Sequence, residues 1–392
     1  MTSRQRTAEM PSALRDGFEV HTAALARRMS VTLLPRQVLI VGGDGRPAGE
    51  TAFAHGIPQT TTLSGATFAQ DKRIRRAILA KAGFKVPKGA TFSVGRSRGA
   101  ARRYAERIGY PVVLKPAQGD NTIETQADIR DEEALVRGAE YFFAPPGDRA
   151  DYVRAAYALT ELREPGIHNG QIVVPPGYRF LIEEQVRGAY VRLLVLEGQI
   201  VNAMYLPHGP WNSGDQGKDI TDEVHESLKT VARDVVTAFQ GLSLAAVDVV
   251  VPDWRTEVTR QEVPIVELSE RPWLAVQGAV SSDTAEELAV AILESGVART
   301  LPTPTDTGIH VQTRLEGAVN AQGFLDAMIG AADTLDLEAM GQVADTALGT
   351  VTMTLRGGAH DVAALIEQAL DSGVGGQRAM LAETAEVSPE RG

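Results

Sequence analysis

Residues 244–274 read LAAVDVVVPDWRTEVTRQEVPIVELSERPWL. Val247, Val249, Val250 and Val251 form a β-branched run broken only by Asp248, and Val263, Ile265, Val266 and Leu268 form a second broken by Glu267. A polar segment joins them, so the reading is a hairpin of two buried strands, each carrying one carboxylate. An ionised carboxylate in such a strand is costly unless a cation meets it. Two partners satisfy that need. One is a hard divalent ion, since Mg²⁺ is held by one or two carboxylates with water and substrate phosphate filling its remaining positions. The other is a pair of buried arginines. The hairpin alone leaves both open.

Working outward, the chain has 392 residues, 43% of them hydrophobic and 23% charged, as expected of a soluble globular protein with two or three domains. Its net charge of -11 comes from interspersed acids and bases, which argues against a nucleic-acid or membrane surface while allowing a local phosphate cleft. The absence of cysteine excludes disulfides, thiolate metal sites and cysteine nucleophiles. No secretory signal and no apolar run of spanning length is present, so a cytoplasmic location is expected.

Upstream, residues 1–36 are polar, with a short helix expected near Glu19 to Met29. Gln37–Val41 reads as a buried strand running into the turn Gly42-Gly43-Asp44-Gly45, and Glu50–Phe68 as a helix, a turn and a short strand. DKRIRRAILAKAG, from Asp71, is a helix with Ile74, Ile78 and Leu79 on one face and Lys72 in its first turn. YPVVLKPAQGDNTIE then places Lys115 at a strand end before a loop containing Gly119, an arrangement suited to a polyphosphate. The strand YRFLIEEQV ends on Glu183 and Glu184, and the loop Pro207 to Lys218 is positioned to cover a site. A helix over 222–240 feeds the Asp248 strand. Downstream, RTLPTPTDTG (299–308) is linker-like, and the remainder reads strand, helix, strand, strand, helix, strand, the order of a ferredoxin-like sandwich.

Assembled in order, these elements resemble the ATP-grasp ligases, in particular their cyanophycin synthetase and glutathione synthetase-like branch. DKRIRRAILAKAGFKVPKG is similar to that branch's entry helix, YPVVLKP to its strand-lysine element, and DITDEVHESLKTVARDVVTAFQGLSLAAVDVVV to its helix and following strand. VELSERPWL is similar to its metal-site strand. The resemblance implies an α/β (α+β) protein: an N-terminal α/β unit (1–70), an ATP-grasp catalytic domain (71–300) and a ferredoxin-like βαββαβ domain (305–390). It also implies ATP and Mg²⁺ as cofactors, and transfer of the γ-phosphate to a carboxylate followed by attack of an amine, with amino acids or small peptides as substrates. Lys72, Lys115 and Gly119 would then meet phosphate, and Glu183, Glu184 and Val186 the adenine. Arg192 and Arg271 would serve the reacting groups, and Asp248, Glu267 and Ser269 the metal.

The chain departs from that pattern in ways that keep a second class open, a non-catalytic scaffold that binds nucleotide or peptide. Tyr190 stands where an acid usually takes the ribose hydroxyls, Ser269 replaces an asparagine, and the lid keeps Gly119 alone of its glycines. The segment 305–390 resembles an acylphosphatase domain through LEGAVNAQGFLDA, but Leu325 replaces the catalytic arginine and Asp345 falls near the catalytic asparagine. A leucine cannot bind phosphate and a carboxylate repels it, so this segment is expected to be structural, to gate substrate or to support a homo-oligomer.

Overall fold

The computed structural model describes residues 12–42, 51–118, 124–145, 148–149, 165–175, 177–297, 301–304 and 308–387. Gly119, the second half of the turn at 42–45 and most of 146–164 lie outside the described residues. The chain forms two compact units, one made of 61–272 and the other of 1–60 together with 273–392.

The split unit begins with helix α1 (Ser12–Ala26) and strands β1 (Ser30–Leu34), β2 (Val38–Gly42), β3 (Thr51–Ala54) and β4 (Ile57–Pro58). The helix expected from Glu50 is therefore a strand. Thr51 and Phe53 point inward in period-two alternation, and Gly56 makes the turn to β4 at φ +74, a backbone conformation that favours glycine.

The 61–272 unit holds α2 (Leu63–Gln70), α3 (Lys72–Lys81), β5 (Gly89–Ser93), α4 (Arg98–Ile108), β6 (Val112–Pro116), β7 (Gln126–Ile129) and α5 (Glu132–Phe143). There follow β8 (Gly166–His168), β9 (Gln171–Val173), β10 (Arg179–Glu184), β11 (Ala189–Leu196), β12 (Gln199–Tyr205), β13 (Lys218–Asp219), α6 (Glu226–Ala238), β14 (Leu244–Val251) and β15 (Ile265–Ser269). Besides the small β8–β9 ribbon, they make two antiparallel sheets, ordered β5-β10-β6-β7 and β13-β12-β11-β14-β15. Each sheet buries an apolar face under helices, α4 and α5 on the first and α6 on the second. Every residue of β14 is buried, so its carboxylate has no route to water along the strand.

The chain then returns to the split unit through α7 (Leu274–Val280), α8 (Ser282–Gly296), β16 (Ile309–Glu316), α9 (Ala321–Thr334), β17 (Glu338–Asp345), β18 (Thr350–Gly357), α10 (Ala359–Leu370) and β19 (Leu381–Glu386). One eight-stranded sheet, β17-β18-β16-β19-β1-β2-β3-β4, runs through both parts of this unit. The join is β19 against β1, with Val31 opposite Thr384 and Leu33 opposite Ala382. Contacts thus fall into two groups with limits at 60/61 and 272/273, whereas the sequence reading drew three segments with limits at 70/71 and 300/305.

Candidate active site

Lys115 on β6 sits where the two sheets of the 61–272 unit meet. Strand β6 is an interior strand, and Lys115 is 4% exposed, so it is not a solvated lysine on a sheet edge. Its Nζ lies 2.6 Å from Glu183 Oε2 on the neighbouring β10, donates to Val266 O on β15 at 3.1 Å and reaches Glu267 Oε2 at 3.4 Å. One ammonium therefore ties both sheets together. Glu183 is also paired with Arg76, whose Nη2 donates to Pro87 O at 2.5 Å.

Glu267 projects from β15 toward α3. Arg75 pairs with its Oε1, and Arg75 Nη1 donates to Leu268 O at 2.8 Å. Burial alone would raise the Glu267 carboxyl, but Arg75 first, then Lys115 and Lys72, outweigh it and hold its pKa at about 2 against an ordinary 4.5. The face of α3 that enters the interior is accordingly Lys72, Arg75 and Leu79, while Ile74, expected on the inner face, is 36% exposed. Sequence reading missed Arg75 and Arg76. The signal that could have found them is the demand of two buried carboxylates for cations, met by a basic stripe at positions 72, 75 and 76.

Asp248 and Glu267 are opposite one another across β14 and β15, and Arg192 on β11 is opposite Asp248 from the other side. Arg192 clasps both oxygens, Nε to Oδ1 at 2.7 Å and Nη2 to Oδ2 at 2.8 Å, and the Tyr190 hydroxyl donates to Oδ2 at 2.6 Å. Burial and the adjacent Asp248 charge hold the Tyr190 hydroxyl well above its usual range, so it stays a proton donor. Burial would lower the Arg192 guanidinium, but Asp248 overrides it and keeps it fully charged. The arginine partner, the second of the two readings of the hairpin, is the one realised at both carboxylates.

Three residues were expected to hold Mg²⁺, and they do not form a ready-made metal site. Asp248 has both oxygens engaged by Arg192, Glu267 is shared between Arg75 and Lys115, and Ser269 Oγ accepts from Arg271 N at 3.1 Å. Among the described residues no group of three His, Asp or Glu side chains is placed to bind a metal ion. Lys72, Arg75, Arg76, Lys115 and Arg192 lie among the buried carboxylates Glu183, Asp248 and Glu267. One buried guanidinium nitrogen in this cluster, Arg192 Nη1, has no hydrogen-bond partner among the described residues.

Above it opens a cavity of about 320 Å³, walled on its apolar side by Val113, Val186, Val250 and Val266 and on its polar side by Lys115, Glu183, Glu184 and Glu267. The loop through Pro207, His208 and Trp211 forms part of its wall, as the sequence reading anticipated for a covering loop. This loop is pinned by Ser213 Oγ, which accepts from His208 N at 3.0 Å and donates to Gly209 O at 2.6 Å. Of the residues expected in the site, Lys115, Glu183, Glu184, Val186 and Glu267 line the cavity; Lys72, Arg192, Asp248, Ser269 and Arg271 are buried off its wall. A flat apolar group fits the valine slot, and on the polar wall Lys115 stands beside three carboxylates.

A mostly apolar cavity of this size with a few convergent polar groups is typical of small-molecule sites. No family model matches the chain. The chain is similar to the cyanophycin synthetase of Geminocystis herdmanii, 23% identical over 312 residues that cover 69% of this chain and 35% of that protein. It is also similar to the carbamoyl phosphate synthase large chain of Myxococcus xanthus, 29% identical over 131 residues, 28% of this chain and 12% of that one. Among solved structures, the D-alanine–D-alanine ligase of Bacillus anthracis matches at 14% identity and a TM-score of 0.39, covering 60% of this chain and 71% of the other. The chain spans about a third or less of the length of the curated relatives it matches. The motif resemblance to ATP-grasp ligases has a counterpart in sequence similarity to cyanophycin synthetases over 60–69% of this chain.

Proposed function

We propose that the chain is an ATP-grasp carboxylate–amine ligase that joins amino acids or small peptides. The observation that carries this reading is the Lys115 junction, which places a buried lysine between two sheets at one end of an apolar slot. The adenine lies among Val113, Val186, Val250 and Val266, near Glu183 and Glu184, and the phosphates reach Lys115, with Lys72 supporting them through charge. The substrate carboxylate attacks the γ-phosphorus, ADP leaves, and the amine then displaces phosphate from the acyl-phosphate and loses a proton. The protein contributes cationic stabilisation of the transferring group and exclusion of water from the mixed anhydride. Arg192 and Arg271 act on the reacting groups from behind the cavity wall. Glu267 would hold magnesium bound with the nucleotide, and the ion would offset charge on the transferring phosphate.

Similarity to cyanophycin synthetases favours this reading over the non-catalytic scaffold, which no comparison supports. We read the partners as small molecules and the location as cytoplasmic; among the described residues no helix is long and apolar enough to cross a membrane. Screening amino-acid pairs for ADP and phosphate release tests the proposal: release is expected only when both a carboxylate and an amine are supplied, and AMP in place of ADP would refute it.

A further inference from the structure

Resting on the ligase reading, we propose that Asp248 is not a metal ligand but the anchor of a closed Tyr190–Asp248–Arg192 lock, so that Glu267 is the one carboxylate this chain offers a divalent ion and the ion arrives only with nucleotide. Three bonds of 2.6, 2.7 and 2.8 Å occupy Asp248, two of them from a fork that matches the carboxylate plane. For Asp248 to ligate a metal, Arg192 would have to let go, and that guanidinium, fully enclosed, would be left charged beside a second cation. Its remaining nitrogen, Nη1, has no hydrogen-bond partner among the described residues and, being a donor, cannot ligate a metal. Tyr190 closes the third side. Its hydroxyl remains protonated and donates to Oδ2, and β11 holds it on the same face as Arg192, two residues away. Glu267 differs: Arg75 takes its Oε1, but its Oε2 meets a longer 3.4 Å contact from Lys115, and it lines the cavity whereas Asp248 does not. Since Mg²⁺ accepts one protein carboxylate when phosphates and water complete its shell, one is sufficient.

The experiment uses Mn²⁺ in place of Mg²⁺ with the whole chain, and counts bound ions by electron paramagnetic resonance with and without ADP. Calorimetry of ADP binding in chelator runs alongside. The lock predicts no saturable Mn²⁺ binding without ADP and one ion per chain with it. Glu267→Gln should weaken nucleotide-dependent Mn²⁺ uptake by at least about tenfold, whereas Asp248→Asn should leave its affinity within about threefold of the parent. Two ions per chain, saturable Mn²⁺ binding without nucleotide, or loss of Mn²⁺ uptake in Asp248→Asn with ADP binding in chelator preserved would overturn the lock while leaving the ligase reading intact. If Asp248→Asn does not fold, the count on the parent chain decides alone. Absence of ADP binding under every condition would instead remove the ligase reading, and the proposal with it.

Discussion

Glu267 is held by more positive charge than one carboxylate requires, and that excess has a thermodynamic signature. Its pKa lies at about 2 in the folded chain and near 4.5 when free of the fold, so the unfolded state binds its proton first. The stabilisation it contributes is complete above pH 4.5 and is lost as pH falls toward about 2. Urea midpoints measured at pH 6 and pH 3 should therefore fall more steeply for the parent than for Glu267→Gln. The variant itself should be less stable at pH 6 by about 3–5 kcal/mol, because Arg75 and Lys115 are left facing a neutral amide. An equal pH slope in both proteins would show that other carboxylates carry the acid sensitivity. At this scale the sequence was informative about which carboxylates matter. Two acids in β-branched strands mark buried charge whatever meets them. Which cation meets which carboxylate was harder to read: the basic stripe at 72, 75 and 76 offers candidates, but Arg75 lies 192 positions before Glu267 and no periodicity pairs the two.

Helix α3 shows how an element can be located from sequence with part of its inner face misjudged: Leu79 is buried and Ile78 packs against the core, but Ile74 is not buried. Apolar spacing gave its span, and hydrophobicity chose Ile74, Ile78 and Leu79 as the inner face; the structure buries Lys72, Arg75 and Leu79. Charge matching to Glu267 outweighs the burial of one isoleucine. Arg75→Met should accordingly cost about 3–5 kcal/mol by leaving Glu267 short of its first partner, whereas Ile74→Ala should cost under about 1 kcal/mol. Denaturant midpoints of the two variants check the ordering, and a larger loss for Ile74→Ala would restore the hydrophobic face. The loop at 317–323 allows a second test at this scale. In this loop Gly317 N and Ala318 N donate to Leu348 O and Gly349 O, Asn320 N donates to Gln377 Oε1 at 2.7 Å, and Gly323 N to Asn320 Oδ1 at 3.1 Å. These donors, which would have to cradle a phosphate, are already satisfied. Leu325 is buried, and Asp345 Oδ1 accepts from Ala347 N and Leu348 N, holding the β17–β18 turn. Benzoyl phosphate should not be hydrolysed above background by the intact chain, and turnover would mean that this loop opens.

At the scale of the molecule, the feature least legible in the sequence is the pairing of β1 with β19. Both read as ordinary short strands, and nothing in a local window says that residues 31 and 384 are neighbours, as they are in the eight-stranded sheet. The linker-like composition of 299–308 suggested a domain boundary, with a separate structural, gating or oligomerisation domain beyond it. In the structure that segment completes the sheet begun by the first sixty residues, and α1 packs against α8 and α10. The consequence of truncation follows. Removing residues after Pro304 takes away β16–β19 together with α9 and α10, leaving β1 with an open edge and uncovering part of α1, whose Phe18, Val20 and Ala24 are fully enclosed in the intact chain. An exposed apolar edge of this kind invites aggregation. Hydrogen exchange on the truncated chain should show loss of protection throughout α1 and β1, with α6 and β14 in the 61–272 unit keeping theirs, since that unit has its own core. Unchanged protection of α1 and β1 would mean that the N-terminal strands hold together without the C-terminal four and that the terminal segment is a separate domain after all.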